Sequence, residues 1–519
     1  MSKFGCLSLF LCTLGAMVAP AGSAAAEGEI GISVSRFAVE GDNPLSDAET
    51  HAVLQPALIG LQGLGALESA ADALEQAIRE RGHAFHRVIL PPQTLGGDVV
   101  TLRVLRFHVG AINVSGNRYF SRDNVLRSLP ELKSGATPNV QSLARSLAIG
   151  NEHPSKRTVL SMREGTEPNT IDAEVKVQDL DPQQIFAALS NTGSHATGWY
   201  RATLGYQYSK LFDLDHTVTA SYTTSPEHTA EVKQYGLNYW LPFYGVGGSL
   251  AAYYVYSDVD SGRVADFFQV SGKGEFHGVR YTQAFPRRDN YNHKLALAVD
   301  SRHFTNNVSF SGAPIGTNVG SRPLSLRYSG NADYTWGSGG FHAEYAHNMS
   351  GGSDNDDAAY TATRFGATRN WKAMRYGADL NYDIGKGWSF TGRLRGQQTD
   401  QALIPGEQFG LGGMYSVRGF YERETSGDNG HFVNAELWMP QLAPDLRFFA
   451  FFDAGRISYQ VPVPDQADAL DIASIGTGLR WQWQRQLDLS ADVGYVLDGI
   501  PGGSRPGETR LHFSLVFRF

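Results

Sequence analysis

The chain has 519 residues, with 44 Lys and Arg against 52 Asp and Glu, so its formal net charge is −8. This mild acidity gives no basic surface for a nucleic acid, and 11% aromatic residues argue against a disordered chain. Both cysteines, Cys6 and Cys12, lie near the N-terminus. Loss of that segment would leave no thiol, which excludes disulfides, thiolate nucleophiles and Cys-ligated metals.

Residues 1–26 have the pattern of a cleaved export signal. Lys3 precedes an apolar stretch from Phe4 to Val18, and Ala24-Ala25-Ala26 offers an A-x-A cleavage site. An apolar stretch of about 15 residues is short for a helix that crosses a hydrocarbon core about 30 Å thick. No later run of about 18 apolar residues occurs, so any insertion of the mature chain into a membrane is expected to be as a β-barrel.

The aromatic residues divide the mature chain near residue 182. Seven of the 59 aromatic residues precede residue 183, whereas the other 52, including all eight tryptophans, follow it. A homogeneous globular protein would not divide in this way. We therefore expect a soluble N-terminal part and a C-terminal part of a different physical character.

Residues 27–107 and 108–182 carry one β-α-α-β-β pattern twice and are expected to form two small α+β domains. The strand openings match at an offset of 75 residues, with Phe37-x-Val39-x-Gly41 beside Ile112-x-Val114-x-Gly116. The pattern predicts strands at Ile32–Val39, Arg87–Leu90, Asp98–Arg106, Ala111–Val114, Arg157–Met162 and Ile171–Gln178.

Local signals mark the helices of both copies. Ser46-Asp-Ala-Glu49 is a capping box that begins a helix, and Gly82 lies where a C-terminal cap belongs. Ser121 is the candidate cap of the second copy, and a further helix is predicted at Val140–Ala148.

Residues 183–519 alternate apolar and polar side chains in many short segments. In the last one, Leu511 to Phe519, one face is large and apolar and the other is mostly polar. Lipid on one side and a wet lumen on the other would produce this pattern, so it predicts an outer-membrane β-barrel. Between 16 and 18 strands are candidates, because Asp266–Phe285 and Tyr360–Ile384 each fit one strand or two. An even number is expected, and we predict 16 antiparallel strands.

A long connection between two strands, about residues 400–430, combines glycines with apolar and aromatic side chains. It contains Val417-Arg418-Gly419-Phe420, and a later strand contains Phe451-Phe-Asp453-Ala-Gly455. Long loops inside a compact architecture are usually functional. The apolar content of this loop predicts that it packs against the barrel wall.

These motifs resemble those of a known superfamily. Val417-Arg418-Gly419-Phe420 looks like the V-R-G-Y/F motif of outer-membrane proteins that combine periplasmic POTRA domains with a barrel, and Phe451 to Gly455 resembles their F-x-D-x-G motif. Leu90-Pro91-Pro92-Gln93 is similar to the L-P-P-Q of a first POTRA domain. Two POTRA-like repeats point to the TpsB-type transporters of two-partner secretion, the haemolysin secretion and activation proteins related to ShlB, FhaC and HecB.

The resemblance implies a function. It implies that the repeats capture a secreted, unfolded partner protein in the periplasm and that the barrel exports it across the outer membrane, with outer-membrane lipid and the barrel assembly machinery as further partners. Many such transporters have an N-terminal helix that plugs the pore. Here about five residues separate Ala26 from the first predicted strand, so we expect no plug helix.

Two other functions stay open from the sequence: a barrel-assembly or insertion factor of the same superfamily, and a substrate-specific diffusion channel or receptor. We predict no enzyme, because the sequence has no recognisable catalytic, cofactor-binding or metal-binding motif; an outer-membrane lipase or protease with dispersed catalytic residues is the third alternative. His342-Ala-Glu344-Tyr-Ala-His347, for example, alternates as a strand and places its two histidines on opposite faces.

Two site predictions follow from alternation along the strands. Asp453 is expected to point inward, because an acidic side chain in lipid would carry a cost of about 3 kcal/mol, and to pair there with Arg418. Gly419 would let the loop turn tightly, and Phe420 would pack on the inner wall. Phe519, a terminal aromatic residue on an unbroken alternating strand, is the candidate recognition signal for barrel assembly. The residues expected to share the inward face are Arg447, Phe449, Phe451 and Asp453, and those facing lipid are Leu446, Phe448, Ala450 and Phe452.

Overall fold

The structure is a computed structural model, and it describes residues 34–59, 64–94, 98–195, 197–259, 262–264, 268–270, 272–306, 309–310, 313–314, 316–464, 466–484 and 486–519. The expected export signal, residues 1–26, and the short stretch on which the absence of a plug helix was predicted lie outside these residues. Of the helices in the described part, none is both long and apolar enough to cross a bilayer.

The first repeat is a three-stranded sheet with two α-helices. Its strand order is β1-β3-β2, with β1 parallel to β3. Ser46 caps the first helix as predicted, since its Oγ accepts from the Glu49 N–H at 3.3 Å and its own N–H donates to Glu49 Oε2 at 3.1 Å. The α2 side chains Leu74 and Ile78 pack on Leu102 of the sheet. The elements are β1 (Arg36–Gly41), α1 (Asp47–Leu54), a 3-10 turn (Gln55–Leu58), α2 (Leu64–Glu80), β2 (His86–Ile89) and β3 (Val99–Arg106).

The second repeat has the same order of elements. Its strand order is β4-β6-β5, with β4 parallel to β6 and β5 antiparallel to it. The Ser121 Oγ accepts from the Asn124 N–H at 3.0 Å, which confirms the predicted cap. The core joins Val125 and Leu143 of the helices to Val175 of the sheet. The elements are β4 (His108–Ser115), α3 (Arg122–Arg127), α4 (Val140–Gly150), β5 (Lys156–Glu164) and β6 (Thr170–Asp179).

Gly41 and Gly116 occupy the same place in the two repeats. Gly41 is the last residue of β1 and Gly116 directly follows β4, and both have a positive φ, 90° and 82° respectively. A Cβ would lie 2.4 Å from the Val104 carbonyl oxygen at Gly41 and 2.3 Å from the Val177 carbonyl oxygen at Gly116. Both positions therefore require glycine for the same two reasons, which explains the offset of 75 residues.

The C-terminal part, from Gln183 onward, is built almost entirely of strands. Its first half contains β7 (Gln183–Ser190), β8 (Arg201–Leu211), β9 (His216–Thr224), β10 (Lys233–Phe243), β11 (Gly248–Ser257), β12 (Gly262–Val264), β13 (Phe268–Val270), β14 (Gly274–Ala284), β15 (Tyr291–Phe304), β16 (Ser309–Phe310), β17 (Ala313–Pro314), β18 (Val319–Ser321), β19 (Pro323–Tyr334) and β20 (Gly337–Asn348). Its second half contains α5 (Asp357–Thr363), β21 (Lys372–Gly385), β22 (Trp388–Gln398), β23 (Phe409–Leu411), β24 (Thr425–Gly427), β25 (Asn429–Trp438), β26 (Leu446–Ser458), β27 (Ala469–Trp483), β28 (Leu487–Asp498) and β29 (Thr509–Arg518).

These strands close into one antiparallel barrel. Seventeen of the described strand segments belong to it, and β18 and β19 are two parts of one strand interrupted at Arg322, since both pair with β15. The barrel therefore has sixteen strands, as predicted. It closes where Ser514–Arg518 of β29 pair with Phe186–Ser190 of β7. The short pairs β12–β13, β16–β17 and β23–β24 lie in loops outside this ladder.

The two ends of the barrel differ. At one end, called the repeat end, short turns such as 212–215 and 244–247 contact the second repeat. At the other, the loop end, long segments include 349–371 and 399–428. The segment Tyr360–Ile384, which fits one strand or two by sequence, forms a single strand that begins at Lys372. Tyr360 belongs instead to the helix α5, whose N-terminus is capped by the Asp356 side chain at the Ala359 N–H (2.9 Å).

Candidate functional site

The segment 399–428 enters the barrel lumen from the loop end. Its β23 and β24 pair as a hairpin, and the part between them folds against the inner wall. Leu411, Val417 and Phe420 are fully buried there against side chains of β25 to β28. Phe420 thus packs on the inner wall, and the long loop, residues 399–428, fills part of the lumen.

Arg418 and Asp453 lie in direct contact inside the lumen. Arg418 Nε donates to Asp453 Oδ2 at 2.8 Å and Nη2 donates to Oδ1 at 2.9 Å, so the ion pair is bidentate. The backbone N–H of Arg418 adds a third bond to Oδ2 at 3.0 Å. Asp453 has no exposed side-chain area and Arg418 has 3%. The loop is thus held on β26 by a buried ion pair that also fixes its backbone.

Two more carboxylates surround the Arg418 guanidinium. Its Nη1 lies 2.9 Å from Glu436 Oε1 and 3.6 Å from Asp492 Oδ2. Asp492 is shared with Arg480, whose Nη2 donates to it at 2.9 Å. Three acidic groups therefore face two arginines. We call Arg418, Asp453, Glu436, Asp492 and Arg480 the lumen lock.

The Arg418 guanidinium also stacks on an aromatic ring, because its central carbon lies 3.6 Å from the centre of the Phe451 ring. This arrangement favours Arg over Lys, since a planar guanidinium can stack and form two parallel bonds together. Phe449, Phe451 and Asp453 face inward while Phe452 is exposed on the outside, as the alternation predicts.

Glycines allow the loop to approach the wall closely. Gly419 has φ +96°, and its N–H donates to His512 Nε2 at 2.9 Å. A Cβ on Gly494 of the wall would lie 2.6 Å from the Gly419 nitrogen, and one on Gly455 would lie 2.9 Å from a Leu411 methyl carbon. The wall glycines therefore make room for the loop backbone and for its apolar side chains.

Sequence reasoning missed several members of this site: Asn434, Glu436, Arg480, Asp492, Gly494 and His512. Asn434 Nδ2, for example, donates to Asp453 Oδ1 at 2.7 Å and to the Ser416 carbonyl at 2.6 Å. These residues lie at inward positions of alternating strands, so polar side chains on the inner face were the available signal. Within the described part of the chain, no three His, Cys, Asp or Glu side chains are grouped so as to hold a metal ion.

Phe519 lies away from the lumen lock, at the repeat end. Its N–H donates to the Ile185 carbonyl at 2.8 Å, which continues the pairing of β29 with β7 beyond Arg518. The side chain is 74% exposed and stacks on Phe517, with 6.4 Å between the ring centres. The C-terminal aromatic residue is therefore presented on the outer surface at the seam where the barrel closes.

The second repeat is joined to the repeat end through a buried polar cluster centred on Asp215. Lys156 Nζ lies 2.7 Å from Asp215 Oδ2, Tyr244 OH donates to the same oxygen at 2.7 Å, and Asn124 Nδ2 donates to Oδ1 at 2.9 Å. Burial alone would raise the pKa of the Asp215 carboxyl, but Lys156 and Tyr244 outweigh it and hold that pKa below its ordinary value. Asp215 is therefore an ionised partner for Lys156.

His153 extends this junction. Its Nε2 lies 2.5 Å from the Ser209 carbonyl oxygen and its Nδ1 accepts from the Ser155 N–H at 3.3 Å. The carbonyl can only accept, so Nε2 carries the proton. Burial lowers the pKa of the imidazole, which is therefore neutral at pH 7.

Two known protein families match parts of this chain. The family described as "Haemolysin secretion/activation protein ShlB/FhaC/HecB" matches residues 169–481, and "POTRA domain, ShlB-type" matches residues 32–106. Similar proteins include the outer membrane transporter CdiB of Dickeya dadantii, 22% identical over 419 residues that cover 78% of this chain and 73% of that protein. The heme/hemopexin transporter protein HuxB of Haemophilus influenzae is 20% identical over 448 residues, covering 84% and 78%.

Solved structures share the fold. CdiB from Escherichia coli superposes with a TM-score of 0.77 at 17% identity, covering 97% of this chain and 93% of that one. CdiB from Acinetobacter baumannii gives a TM-score of 0.69 at 18% identity, covering 94% and 90%. The resemblance inferred from the motifs is confirmed, and the family is one of transporters rather than of enzymes. The chain belongs to the ShlB/FhaC/HecB family of haemolysin secretion and activation proteins, outer-membrane transporters of the two-partner secretion type, with its barrel in the outer membrane and its POTRA domains in the periplasm.

Proposed function

We propose that this chain captures an unfolded, secreted partner protein on its second repeat and passes it to the cell surface through the barrel lumen. Membership of a two-partner secretion family supports the export step. The observation that carries the capture step is the junction at Lys156. This residue begins β5 and is buried against Asp215 of a barrel turn, so β5 starts at the periplasmic mouth of the barrel.

The outer edge of β5 offers a place for an extended chain. This strand pairs with β6 on one side, and none of the described strands pairs with its other side. Val159, in the middle of β5, is 60% exposed. An unpaired edge with an exposed apolar side chain can accept a further strand through backbone hydrogen bonds, with little dependence on the sequence of the added strand.

The opposite edge of the same sheet is less available. On β4, the Val109 N–H donates to the Ala136 carbonyl at 2.8 Å, and the Val109 carbonyl accepts from the Gly135 N–H at 2.7 Å. Arg122 Nη2 donates to the Ile112 carbonyl at 3.3 Å. Backbone groups that already have partners cannot template a new strand. On β5 the Thr158 N–H and carbonyl are likewise bonded to the Asn151 side chain, at 2.7 and 2.9 Å, so the favoured edge is the part of β5 that follows Thr158.

The barrel surface suits the remaining expected partners. Large apolar side chains such as Leu204, Leu237 and Leu511 are exposed on the outer face, where outer-membrane lipid would cover them. Phe519, presented at the seam, is the proposed signal read by the barrel assembly machinery. The lumen lock is the proposed support of the loop that narrows the pore.

Photo-crosslinking in cells tests the capture step. A benzophenone amino acid at Val159 should form an adduct with the secreted partner while export is in progress. The same probe at Asn113, an exposed residue of β4, is the matched control and should give much less adduct. Equal labelling from both positions, or none from Val159 in a secreting strain, would overturn the assignment to β5.

A deletion strain tests the function itself. Loss of this chain should remove one or a few proteins from the culture medium and leave the other outer-membrane barrels at their usual level. A general loss of barrels would instead indicate an assembly factor. A change limited to the uptake of a small solute would indicate a diffusion channel.

A further inference from the structure

The segment 399–428 is anchored on two opposite walls of the barrel. Counting from β7, Arg302 lies on the seventh barrel strand and Asp492 on the fifteenth, which are half of the barrel circumference apart. Arg302 contacts Glu407 near the start of the segment, whereas Asp492 contacts Arg418 at its tip. The segment therefore crosses the lumen.

Glu407 makes the anchor at the base of the segment. Its side chain has no exposed area, and its Oε2 lies 2.8 Å from Arg302 Nη1 and 3.1 Å from Arg375 Nη2. Its Oε1 accepts from the Ser321 hydroxyl at 2.8 Å, and its backbone carbonyl accepts from Gln397 Nε2 at 3.0 Å. Four wall strands thus contribute a donor to one loop residue.

The extracellular helix α5 is part of the same anchor. Tyr360 of α5 is buried with Trp371, Leu403 and Ile404 in one apolar cluster against the wall. Gly406 lies against the Phe304 ring, where a Cβ would come within 2.2 Å of a ring carbon. The base of the segment and α5 are therefore packed together as one body.

Asp428 fastens this body at its other end. Its carboxylate accepts hydrogen bonds from both terminal nitrogens of Arg364, the residue after α5; Nη1 donates to Oδ1, and Nη2 donates to Oδ2 at 2.9 Å. It also accepts from the Leu403 N–H at 2.9 Å and from the Gln460 N–H at 2.8 Å. A fully buried carboxylate thus ties α5, both ends of the segment and the next extracellular loop to one another. We call α5, residues 403–407 and Asp428 the base anchor.

Charge balance decides which anchor can be released. Withdrawal of Glu407 would leave Arg302 still paired with Asp300 at 2.7 Å, and Arg375 still beside Glu344 at 3.4 Å. Withdrawal of Arg418 would leave Asp453, Glu436 and Asp492 facing Arg480 alone. Exposing three acidic groups to one another is the more costly change. The base anchor is therefore the end that can open.

We propose that Glu407 and Asp428 are positioning residues that hold the pore closed. In this proposal, export begins when the base anchor leaves the wall around Arg302, while the tip of the segment at Arg418 stays on the opposite wall. The proposal rests on the export function proposed above. It assigns closure of the resting pore to contacts that the chain's own extracellular segments make.

Ion conductance through the purified protein in planar bilayers tests the closure without any partner. Glu407→Gln and Asp428→Asn keep side-chain shape but remove a buried charge, and each should raise the ratio of open to closed time by about tenfold. Asp379→Asn is the matched control, because Asp379 pairs with Arg395 on the wall at 2.8 Å and contacts no part of the segment. Heat-modifiable migration in gels verifies that each barrel is folded. Wild-type conductance in both folded variants would overturn the proposal.

A reversible cross-link tests the movement. Phe304, at the end of wall strand β15, and Gly406 of the base lie close enough for a disulfide in the double Cys variant, because a Cβ on Gly406 would come within 2.2 Å of the Phe304 ring. Oxidised Phe304→Cys/Gly406→Cys would tie the base to the wall and should block secretion, and a reductant should restore it. The control pair is Ala298→Cys/Ser325→Cys, which joins neighbouring wall strands that need not separate. Secretion at the wild-type rate by the oxidised first pair would contradict the release of the base. A chain that exported no partner at all would fail the secretion assay but would still give the conductance result, so the two failures can be distinguished.

Discussion

Lys156 and Asp215 form a buried ion pair that joins the second repeat to the barrel. The ammonium nitrogen lies 2.7 Å from the carboxylate, and the two side chains are 0% and 2% exposed. Lys156 also donates to Asn124 Oδ1 at 2.8 Å, so each charge is fully surrounded by partners. The pair fixes the start of β5 at the periplasmic mouth, because neither charge can leave the other without a large cost in desolvation.

Replacement of Lys156 by Met should loosen this junction. The change strands the Asp215 carboxylate in a buried site, which costs about 3–5 kcal/mol. Spin labels on the second repeat and on the barrel should then report a broader distance distribution, and secretion should fall. Lys176→Met is the control, since Lys176 is 64% exposed and its contact with Glu174 is 3.5 Å. An unchanged distribution in Lys156→Met would show that the pair does not hold the repeat.

Acid should also weaken the junction, through His153. Burial lowers the pKa of the docked imidazole, whereas the undocked ring regains a pKa of about 6.5. The undocked state therefore binds more protons below pH 6.5, and docking weakens as the pH falls by up to about tenfold per pH unit. Energy transfer between dyes on the second repeat and on the barrel, followed from pH 7.5 to 5.5, measures the fraction of docked repeat. His153→Asn removes the titrating group and should abolish the dependence; a dependence of the same size in that variant would exclude His153 as its source.

Arg418 and Asp453 should behave as a coupled pair. Arg418→Ala leaves three acidic groups around one arginine, and Asp453→Ala leaves a buried guanidinium, so each change should expose the segment 412–424 to protease and reduce secretion while the barrel still inserts. The double variant should be no worse than the worse single one. Arg456→Ala, on the strand that carries Asp453, is the control, because the side chains of Arg456 and its partner Asp471 are each more than half exposed. Simple addition of the two single defects would show that the residues are independent.

Gly494→Ala should detach the loop tip without changing any charge. The new Cβ would lie 2.6 Å from the Gly419 nitrogen and 2.9 Å from the Arg418 carbonyl carbon, and backbone atoms cannot rotate away as a flexible side chain can. We expect the same protease sensitivity as in Arg418→Ala. Gly339→Ala, where the nearest atom is 3.8 Å away, is the matched barrel glycine and should resemble the wild type. A resistant loop in Gly494→Ala would mean that the tip can shift without losing its hold.

Deletion of Phe519 should impair assembly in cells more than refolding into detergent. The side chain is exposed at the seam, so its loss removes little packing within the protein but removes a feature that assembly factors can read. The yields of heat-modifiable barrel from cells and from detergent refolding measure the two effects. Phe517→Ala, on the same outer face, controls for the loss of an aromatic ring. Equal losses in the two assays would favour simple packing against lipid.

The fold could be predicted from the sequence because its signals are local. Capping by Ser46 and Ser121 depends on residues within three positions, and the alternation that gives sixteen strands needs only a period of two. That period also places Asp453 inward, and the motif containing Arg418 suggested its partner. The helix α5 was not predicted, because Tyr360 and its neighbours fit a strand by pattern and are held as a helix by the Asp356 cap and by burial against the wall.

The partners of the buried charges were decided by the tertiary structure alone. Glu436, Asp492 and His512 lie on three different strands and reach Arg418 and Gly419 because the register of the closed barrel brings those positions to one height. Glu407 meets Arg302, 105 residues away in sequence, because the segment 399–428 folds inward and crosses the lumen. A period along one strand determines which face a side chain takes. Which charges then meet across a lumen is determined by closure of the whole sheet, which no local pattern records.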